Sequence, residues 1–174
     1  MKALFLDRDG VINIEKEGSY ILHPGELQYY PGALNAIARA AAHFEKILVV
    51  TNQRGIGKGL MTEEDLHAVH AQISADLQAL GGRIDKYYFA PALESEHPMR
   101  KPNTGMGELA LQDFPLIDCA QSVMIGNNIS DMQFGKNMGM HTVFLHSTQA
   151  QLQLPHPLID EQFASLAEWI ESLS

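Results

Sequence analysis

The sequence predicts an α/β fold, a Rossmann-like three-layer sandwich in which helices cover both faces of a parallel sheet of five or more strands. Short apolar runs alternate along the chain with longer segments whose apolar residues recur at helical spacing. This alternation is typical of a parallel sheet with helical crossovers. Polar residues directly follow three of the apolar runs, which places them at the carboxyl edge of the sheet, where such folds bind their ligands.

The elements follow from local patterns. The predicted strands are residues 3–6, 47–50, 84–89, 122–125 and 142–145. The predicted helices are residues 32–44, 62–80, 106–112, 131–138 and 161–173. Pro31 suits the start of the first helix because a first helical turn leaves its N–H groups unpaired, and two glycines end the second helix. Residues 14–31 and 90–99 are predicted to be irregular loops, and 55–59 a flexible connection.

The composition indicates one globular domain over residues 1–174, with 45% hydrophobic and 19% charged residues. The net charge of −9 argues against a protein that binds nucleic acid through its phosphates. The lone cysteine, Cys119, excludes a disulfide framework and fits a reducing compartment, so we expect a cytoplasmic protein. The first apolar run is too short for a signal peptide or a membrane span, and no sequence pattern indicates assembly, so we expect a monomer.

Two aspartates follow the first predicted strand directly, in the sequence Asp7-Arg8-Asp9-Gly10. Side chains two apart on an extended segment point to the same side, so Asp7 and Asp9 can converge on one point. Two like charges this close are stable only around a cation or with one of them protonated. A polar turn after an edge strand is the alternative interpretation, because Asp and Gly are common turn residues.

Polar groups at the other strand ends favour chemistry on a phosphoryl group. They are Thr51 and Asn52 after the second strand, Asn127 and Asp131 after the fourth, and Lys101 before the third helix. Hydrogen-bond donors and a fixed cation suit phosphoryl oxygens, and carboxylate and amide oxygens suit Mg²⁺. Beside these positive charges one aspartate can attack phosphorus, and a second can act as acid and base.

These motifs resemble those of the haloacid dehalogenase-like (HAD) phosphohydrolases over about residues 2–145. The matching segments are, in chain order, Asp7-Arg8-Asp9-Gly10, Thr51-Asn52-Gln53, Lys101-Pro102 and Gly126-Asn127-Asn128-Ile129-Ser130-Asp131. The resemblance implies that Asp7 is the nucleophile and Asp9 the acid/base group, and that Thr51 and Lys101 bind the phosphate. The expected Mg²⁺ ligands are Asp7, the main-chain carbonyl of Asp9, Asn127 and, through a water, Asp131.

Within this family, the segments DRDGVIN, TNQRGIGKG and RKP resemble the subgroup of D-glycero-D-manno-heptose 1,7-bisphosphate phosphatases and histidinol-phosphatases. The resemblance marks Arg100 as a substrate-recognition residue, and Asn52, Gln53 and Arg54 are further candidates for substrate binding. We therefore expect a phosphatase of a small phosphorylated metabolite such as a sugar phosphate. The spacing of the motifs leaves no room for a cap domain, so substrate specificity is expected from the loops at 14–30 and 90–100.

Two departures from the subgroup bear on metal binding. The subgroup commonly carries a zinc loop of three cysteines and a histidine, but the corresponding positions here hold Ala90, Ala92, His97 and Met99. Such a set cannot build a four-coordinate zinc site, so no zinc is expected. Asn127 stands where the family usually has an aspartate, so the affinity for Mg²⁺ is expected to be lower.

Two other functions stay open from the sequence. TNQRGIGKG also resembles the phosphatase domain of polynucleotide kinase-phosphatase, which would make a nucleic-acid end the substrate, although the acidic net charge argues against it. With Asn127 in place of an aspartate, the domain could instead bind phosphate compounds without turnover. The presence of both Asp7 and Asp9 argues against a pure binder, which needs no acid/base group.

Overall fold

A six-stranded, all-parallel sheet forms the centre of the computed structural model, which describes residues 1–173. Its strands are β1 (Ala3–Leu6), β2 (Lys46–Asn52), β3 (Lys86–Ala90), β4 (Val123–Gly126), β5 (His141–Leu145) and β6 (Glu161–Phe163). The spatial order is β3-β2-β1-β4-β5-β6. Strands β2 and β3 lie on one side of β1, and strands β4 to β6 lie on the other. The strand order thus reverses at β1, and in such sheets ligands bind in the crevice at this reversal.

Helices cover both faces of this sheet. They are α1 (Ala33–Ala40), α2 (Arg54–Gly57), α3 (Glu63–Gln78), α4 (Gly105–Asp113), α5 (Ile129–Asn137) and α6 (Leu166–Glu171). Along β1, Leu4 and Leu6 pack into a core with side chains of α1, α3 and α6. The alternate residues, Ala3 and Phe5, pack into a second core with side chains of α4 and α5. All four β1 side chains are fully buried, which explains why this strand is purely apolar.

The predicted three-layer α/β fold is confirmed, with one strand more than the five counted. The helix predicted over 161–173 is wrong at its start, because Glu161–Phe163 pairs with β5 as the edge strand β6. Helix α6 begins only after Ser165, whose side chain accepts a hydrogen bond from the main-chain nitrogen of Glu168 (3.1 Å) and so caps the helix. An edge strand is partly exposed and can hold polar residues. Residues 161–163 therefore lack the apolar run by which the other strands were predicted.

The prediction of a flexible connection at 55–59 is also wrong, because helix α2 occupies most of this segment. Gly57 lies so close to the loop after β3 that a Cβ there would be 2.4 Å from the carbonyl oxygen of Pro91. The glycines of this segment therefore permit close packing of α2 against its neighbours.

The long loop at 14–31 is anchored by main-chain hydrogen bonds. The main-chain nitrogen of Ile14 donates to the carbonyl of Gln28, and that of Tyr30 donates to the carbonyl of Ile12.

The connections between consecutive strands consist of loops and at most two α-helices, and the expectation of a fold without a cap domain is confirmed. Within residues 1–173, none of the helices has the length and apolar character that crossing a membrane requires.

Candidate active site

The predicted polar residues meet at the carboxyl ends of three adjacent strands. Asp7 and Asp9 follow β1, Thr51 lies near the end of β2, and Asn127 follows β4. Lys101 reaches the same place from the loop that precedes α4. The tertiary structure thus brings together groups from four separate parts of the chain.

Lys101 lies between two carboxylates in the interior. Its Nζ donates to Oδ1 of Asp7 (3.0 Å) and to Oδ1 of Asp131 (2.7 Å), and only 3% of the residue is exposed. Burial alone acts to lower the pKa of Lys101, but the neighbouring carboxylates of Asp131 and Asp7 outweigh it and raise the pKa. Lys101 is therefore a permanent cation beside Asp7.

Three oxygens converge next to this cation. Oδ1 of Asn127 lies 3.2 Å from Oδ2 of Asp7 and 3.2 Å from the main-chain carbonyl oxygen of Asp9. Oxygens that carry no hydrogen repel one another at this distance unless a cation lies among them. One carboxylate, one carbonyl and one amide oxygen are the hard ligands that Mg²⁺ takes, so this donor set fits the metal.

Gly10 allows this cluster to form. Its φ of +86° lies in the left-handed region, and a Cβ there would lie 2.1 Å from Nδ2 of Asn127. Only glycine meets both conditions without strain. The same residue thus turns the chain after Asp9 and leaves room for Asn127.

Asp7 carries the negative charge of the oxygen cluster. Burial and the nearby Asp131 raise the pKa of Asp7 to about 7, against the opposing effect of Lys101. A proton therefore competes with a cation for Asp7 near neutral pH. Within the described residues, no group of three or more His, Cys, Asp or Glu side chains forms a candidate metal site, so the cluster depends on its neutral oxygens.

The Asp9 carboxylate is held in place by hydrogen bonds on both oxygens. Its Oδ1 accepts from Arg8 Nη2 and Asn13 Nδ2, each at 2.9 Å, and its Oδ2 accepts from Gln53 Nε2 at 2.8 Å. Burial acts to raise the pKa of Asp9, but the Arg8 charge and these hydrogen bonds outweigh it and lower the pKa. The carboxylate keeps 25% of its side-chain surface exposed, toward the cleft described below.

Arg8 owes its position to a buried support. It has no exposed surface, and its Nη1 contacts Nε2 of His70 at 3.2 Å. The His70 ring stacks on Tyr87, with ring centroids 4.2 Å apart. Burial and the adjacent Arg8 lower the pKa of His70 to about 3, so the imidazole is neutral and adds no charge beside the guanidinium.

Two residues predicted to bind substrate, Asn52 and Gln53, make hydrogen bonds to other residues of the site. Oδ1 of Asn52 accepts from the main-chain nitrogen of Lys101 (3.0 Å), and its Nδ2 donates to the Lys101 carbonyl (3.3 Å). Gln53 is fully buried and donates to Asp9 Oδ2 and to Thr51 Oγ1 (3.0 Å). Because Thr51 Oγ1 accepts this bond, its own hydrogen stays available for a ligand. Asn52 and Gln53 thus help to position Lys101 and Asp9, and Asn52 also lines the cleft described below.

Asp131, expected to contribute to metal binding through a water, directs its oxygens elsewhere. Oδ1 bonds to Lys101, and Oδ2 accepts from the main-chain nitrogens of Asn127 and Asn128, each at 3.1 Å. These bonds fix the turn from β4 into α5. In this geometry Asp131 neutralises and orients Lys101, and it lies outside the three-oxygen cluster.

A cleft of about 910 Å³ opens above Asp9. Six of its lining residues are Asp9, Tyr20, Tyr30, Asn52, Lys58 and Thr148. The Lys58 ammonium lies 5.3 Å from the centroid of the Tyr20 ring. Burial and the charge of Arg54 lower the pKa of Arg100. Arg54 begins α2 directly after β2, and Lys58 lines the cleft together with the acidic Glu15 and Glu17.

Hydrogen bonds hold the loop after β3 together. Nδ2 of Asn103 donates to the carbonyls of Ser95 (3.1 Å) and His97 (2.9 Å), and Arg100 Nη1 donates to the carbonyl of Leu93 (3.1 Å). The side chain of His97 accepts from the main-chain nitrogen of Met99 (3.2 Å). Ordinary hydrogen bonds therefore shape this loop and present Arg100.

Several residues of the site were not singled out from the sequence, among them Arg8, Asn13, Glu15 and Thr148. Arg8 and Asn13 lie in the DRDGVIN segment, so their position next to Asp9 was a signal that could have been used. Glu15 and Thr148 meet at Asn127, although they lie in two different loops. No local pattern in the chain indicates that contact.

Comparison with known proteins gives consistent results. A family model described as HAD-hydrolase-like matches residues 98–168. A D-glycero-alpha-D-manno-heptose-1,7-bisphosphate 7-phosphatase of Mycobacterium bovis is 32% identical over 168 residues, which cover 96% of this chain and 88% of that protein. The Campylobacter jejuni protein of the same name is 37% identical over 144 residues, covering 83% of this chain and 81% of that protein.

A solved structure resembles the whole chain. It is the D,D-heptose 1,7-bisphosphate phosphatase of B. bronchiseptica, complexed with magnesium and phosphate. The two superpose with a TM-score of 0.86 at 27% sequence identity, over 99% of this chain and 98% of the other.

Proposed function

Because this chain belongs to the D-glycero-D-manno-heptose-1,7-bisphosphate 7-phosphatase family of the HAD-like hydrolases, we propose that it removes the 7-phosphate of that sugar bisphosphate in a Mg²⁺-dependent reaction. The observation that carries the proposal is the arrangement around Asp7. Its carboxylate contacts Lys101 on one oxygen and the Asn127 amide oxygen on the other, with the Asp9 carboxylate beside it at the cleft. The names of curated relatives include both anomers of the substrate, so the anomer is a question for experiment.

The residues of the chain can perform the reaction in two steps. In the first, an Asp7 carboxylate oxygen attacks phosphorus while Lys101 and the Thr51 hydroxyl bind phosphoryl oxygens, and a phosphoryl group is transferred to Asp7. For this step Asp9 must carry a proton, against the lowered pKa of its carboxylate in the free site, and the negative charge of the bound phosphoryl group favours that protonation. Asp9 gives this proton to the departing sugar oxygen. In the second step, Asp9 takes a proton from the water that attacks the phosphorus, which releases phosphate and restores Asp7.

Asp9 Oδ2 is the atom we assign to this proton transfer. Oδ1 takes two hydrogen bonds, from Arg8 and Asn13, whereas Oδ2 takes one, from Gln53. A proton on Oδ2 therefore disturbs fewer contacts. Arg8, Asn13 and Gln53 hold the carboxylate where it reaches both the leaving oxygen and the attacking water.

The metal would be held by Asp7 Oδ2, the Asp9 carbonyl and Asn127 Oδ1. When bound, Mg²⁺ supplies positive charge that reduces the repulsion between the Asp7 carboxylate and the phosphoryl oxygens. Lys101 adds a second positive charge in the interior, where electrostatic interactions are stronger than in water.

Cations that follow neighbouring strand ends support a bisphosphate as the substrate. While one phosphate is at Asp7, three cations are candidates to bind the other: Lys58, which lines the cleft, Arg54, which follows β2, and Arg100, in the loop between β3 and α4. Arg54 also keeps a buried Nε without a hydrogen-bond partner among the described residues. A bidentate contact with phosphate suits a guanidinium group.

The function is tested by measuring phosphate release from both anomers of the heptose 1,7-bisphosphate, with a 3′-phosphorylated oligonucleotide as a competing substrate class. We expect turnover of the sugar in Mg²⁺ and none after chelation. Asp7→Asn, which is nearly isosteric, should abolish turnover and leave the circular dichroism spectrum unchanged. Beryllium fluoride should bind at Asp7 in the wild-type protein. Turnover by Asp7→Asn at the wild-type rate would contradict the mechanism, and preference for the oligonucleotide would contradict the substrate.

A further inference from the structure

The side-chain amide of Asn127 can take two orientations, and only one of them can ligate a metal ion. In that orientation its oxygen faces Oδ2 of Asp7 and the carbonyl of Asp9. Its nitrogen donates to Oγ1 of Thr148 (2.8 Å) and to Oε1 of Glu15 (3.3 Å). The amide is fully buried, so its neighbours in the protein determine which way it points.

The opposite orientation is a real competitor. With oxygen and nitrogen exchanged, the amide nitrogen would donate to Asp7 Oδ2 and to the Asp9 carbonyl, both at 3.2 Å, and its oxygen would accept from Thr148 (2.8 Å). That arrangement satisfies the oxygen cluster with hydrogen bonds and requires no cation. It also directs an N–H group at the place where the cation would lie, and an N–H group cannot ligate a metal ion. A metal site built on Asn127 therefore needs a group that favours the orientation with the oxygen turned toward Asp7 and Asp9.

Two of the neighbours cannot make this choice. The Thr148 hydroxyl both donates and accepts, so it can bond to the nitrogen in one orientation and to the oxygen in the other. Asn128 Nδ2 donates to the Asn127 oxygen (3.3 Å), but this amide also carries both a donor and an acceptor and can turn in the same way. An ionised carboxylate only accepts, so Glu15 can bond to the nitrogen but faces repulsion from the oxygen. Of these three partners, Glu15 alone distinguishes the two ends of the amide.

We propose that Glu15 is a positioning residue of the metal site, which keeps the Asn127 oxygen turned toward Asp7 and Asp9. The inference rests on the proposed function, because it concerns the same metal site. It also explains why an asparagine at position 127 needs a neighbour that fixes the orientation of its amide. A carboxylate presents an oxygen on either side and has no wrong orientation, so an aspartate at position 127 would not need Glu15.

The test is a double-mutant cycle on Mg²⁺ affinity, measured with MgCl₂ by isothermal titration calorimetry in the absence of substrate. Glu15→Ala should weaken binding about tenfold or more, the equivalent of one net hydrogen bond to a charged group. Asn127→Asp should bind Mg²⁺ more tightly than the wild type. In the Asn127→Asp background, Glu15→Ala should change the affinity less than about twofold. Glu15 is exposed, so its replacement leaves the core intact.

A matched control separates orientation from simple attraction between charges. Glu17→Ala removes the same charge two residues away in the same exposed loop, and it should leave the affinity within about twofold of the wild type. An equal loss on Glu15→Ala in the wild-type and Asn127→Asp backgrounds would mean that Glu15 acts only by its charge, and would overturn the inference while leaving the metal site in place. Absence of Mg²⁺ binding by the wild-type protein would instead overturn the proposed metal site itself.

Discussion

Replacement of Asp131 by asparagine should destabilise the protein markedly even without metal. Asp131 is 1% exposed and accepts three hydrogen bonds, one from Lys101 and two from main-chain nitrogens. An asparagine of the same shape has one accepting oxygen, so its NH₂ group must face either the ammonium of Lys101 or two N–H groups. Lys101 would also lose one of its two counter-charges in the interior.

The magnitude follows from the burial of the pair. Removal of one partner from a buried ion pair costs about 3–5 kcal/mol, because it leaves a buried charge uncompensated. Lys101 keeps Asp7 at 3.0 Å, so we expect the lower end, about 3 kcal/mol. At about 2–4 °C per kcal/mol for a chain of this size, the melting temperature should fall by about 6–12 °C.

The measurement is urea unfolding followed by circular dichroism in the presence of a chelator, so that bound metal adds nothing to stability. Glu26→Gln is the matched control. Glu26 likewise accepts from a lysine, Lys16 (2.9 Å), and from a main-chain nitrogen, that of Leu22 (2.8 Å), but it lies at the surface. Its replacement should cost far less. If Asp131→Asn is no more destabilising than Glu26→Gln and only weakens Mg²⁺ binding, the assignment of Asp131 to Lys101 is wrong and Asp131 acts as a metal ligand.

Two further predictions concern metals. Since the pKa of Asp7 is raised to about 7, protons and Mg²⁺ compete for its carboxylate, and Mg²⁺ affinity should rise about tenfold from pH 6 to pH 8; calorimetry at both pH values checks this, and an affinity independent of pH would contradict it. The purified protein should contain no stoichiometric zinc, because the loop after β3 lacks the cysteine ligands; elemental analysis that finds one zinc per chain would show that other residues bind it.

The fold and the location of the site could be predicted because both depend on local patterns. A parallel strand covered on both faces must be apolar throughout, so β1 is visible as ALFL and β2 as an apolar run. Polar residues directly after such strands can only lie at the carboxyl edge of the sheet. The places of Asp7, Asp9, Thr51 and Asn127 at this edge follow from that rule.

The partners of the polar side chains could not be predicted in the same way. Asn52 and Gln53 are adjacent in sequence, yet one bonds to Lys101, 49 residues away, and the other to Asp9, 44 residues away. Both have the same amide group, so residue type does not distinguish support of another residue from contact with substrate. The edge strand β6 was also not predicted, because its sequence has no apolar run and only its pairing with β5 in the folded chain makes it a strand.

The sequence by itself determined the parallel sheet, the edge where the site lies and the residues that bring charge to it, because burial and strand direction act on each segment separately. Only the tertiary structure decided how these residues are oriented. The two ends of the Asn127 amide have nearly the same size, so packing alone cannot choose between them. The choice depends on the hydrogen-bonding character of groups from separate loops, Glu15 and Thr148, which meet only when the chain has folded.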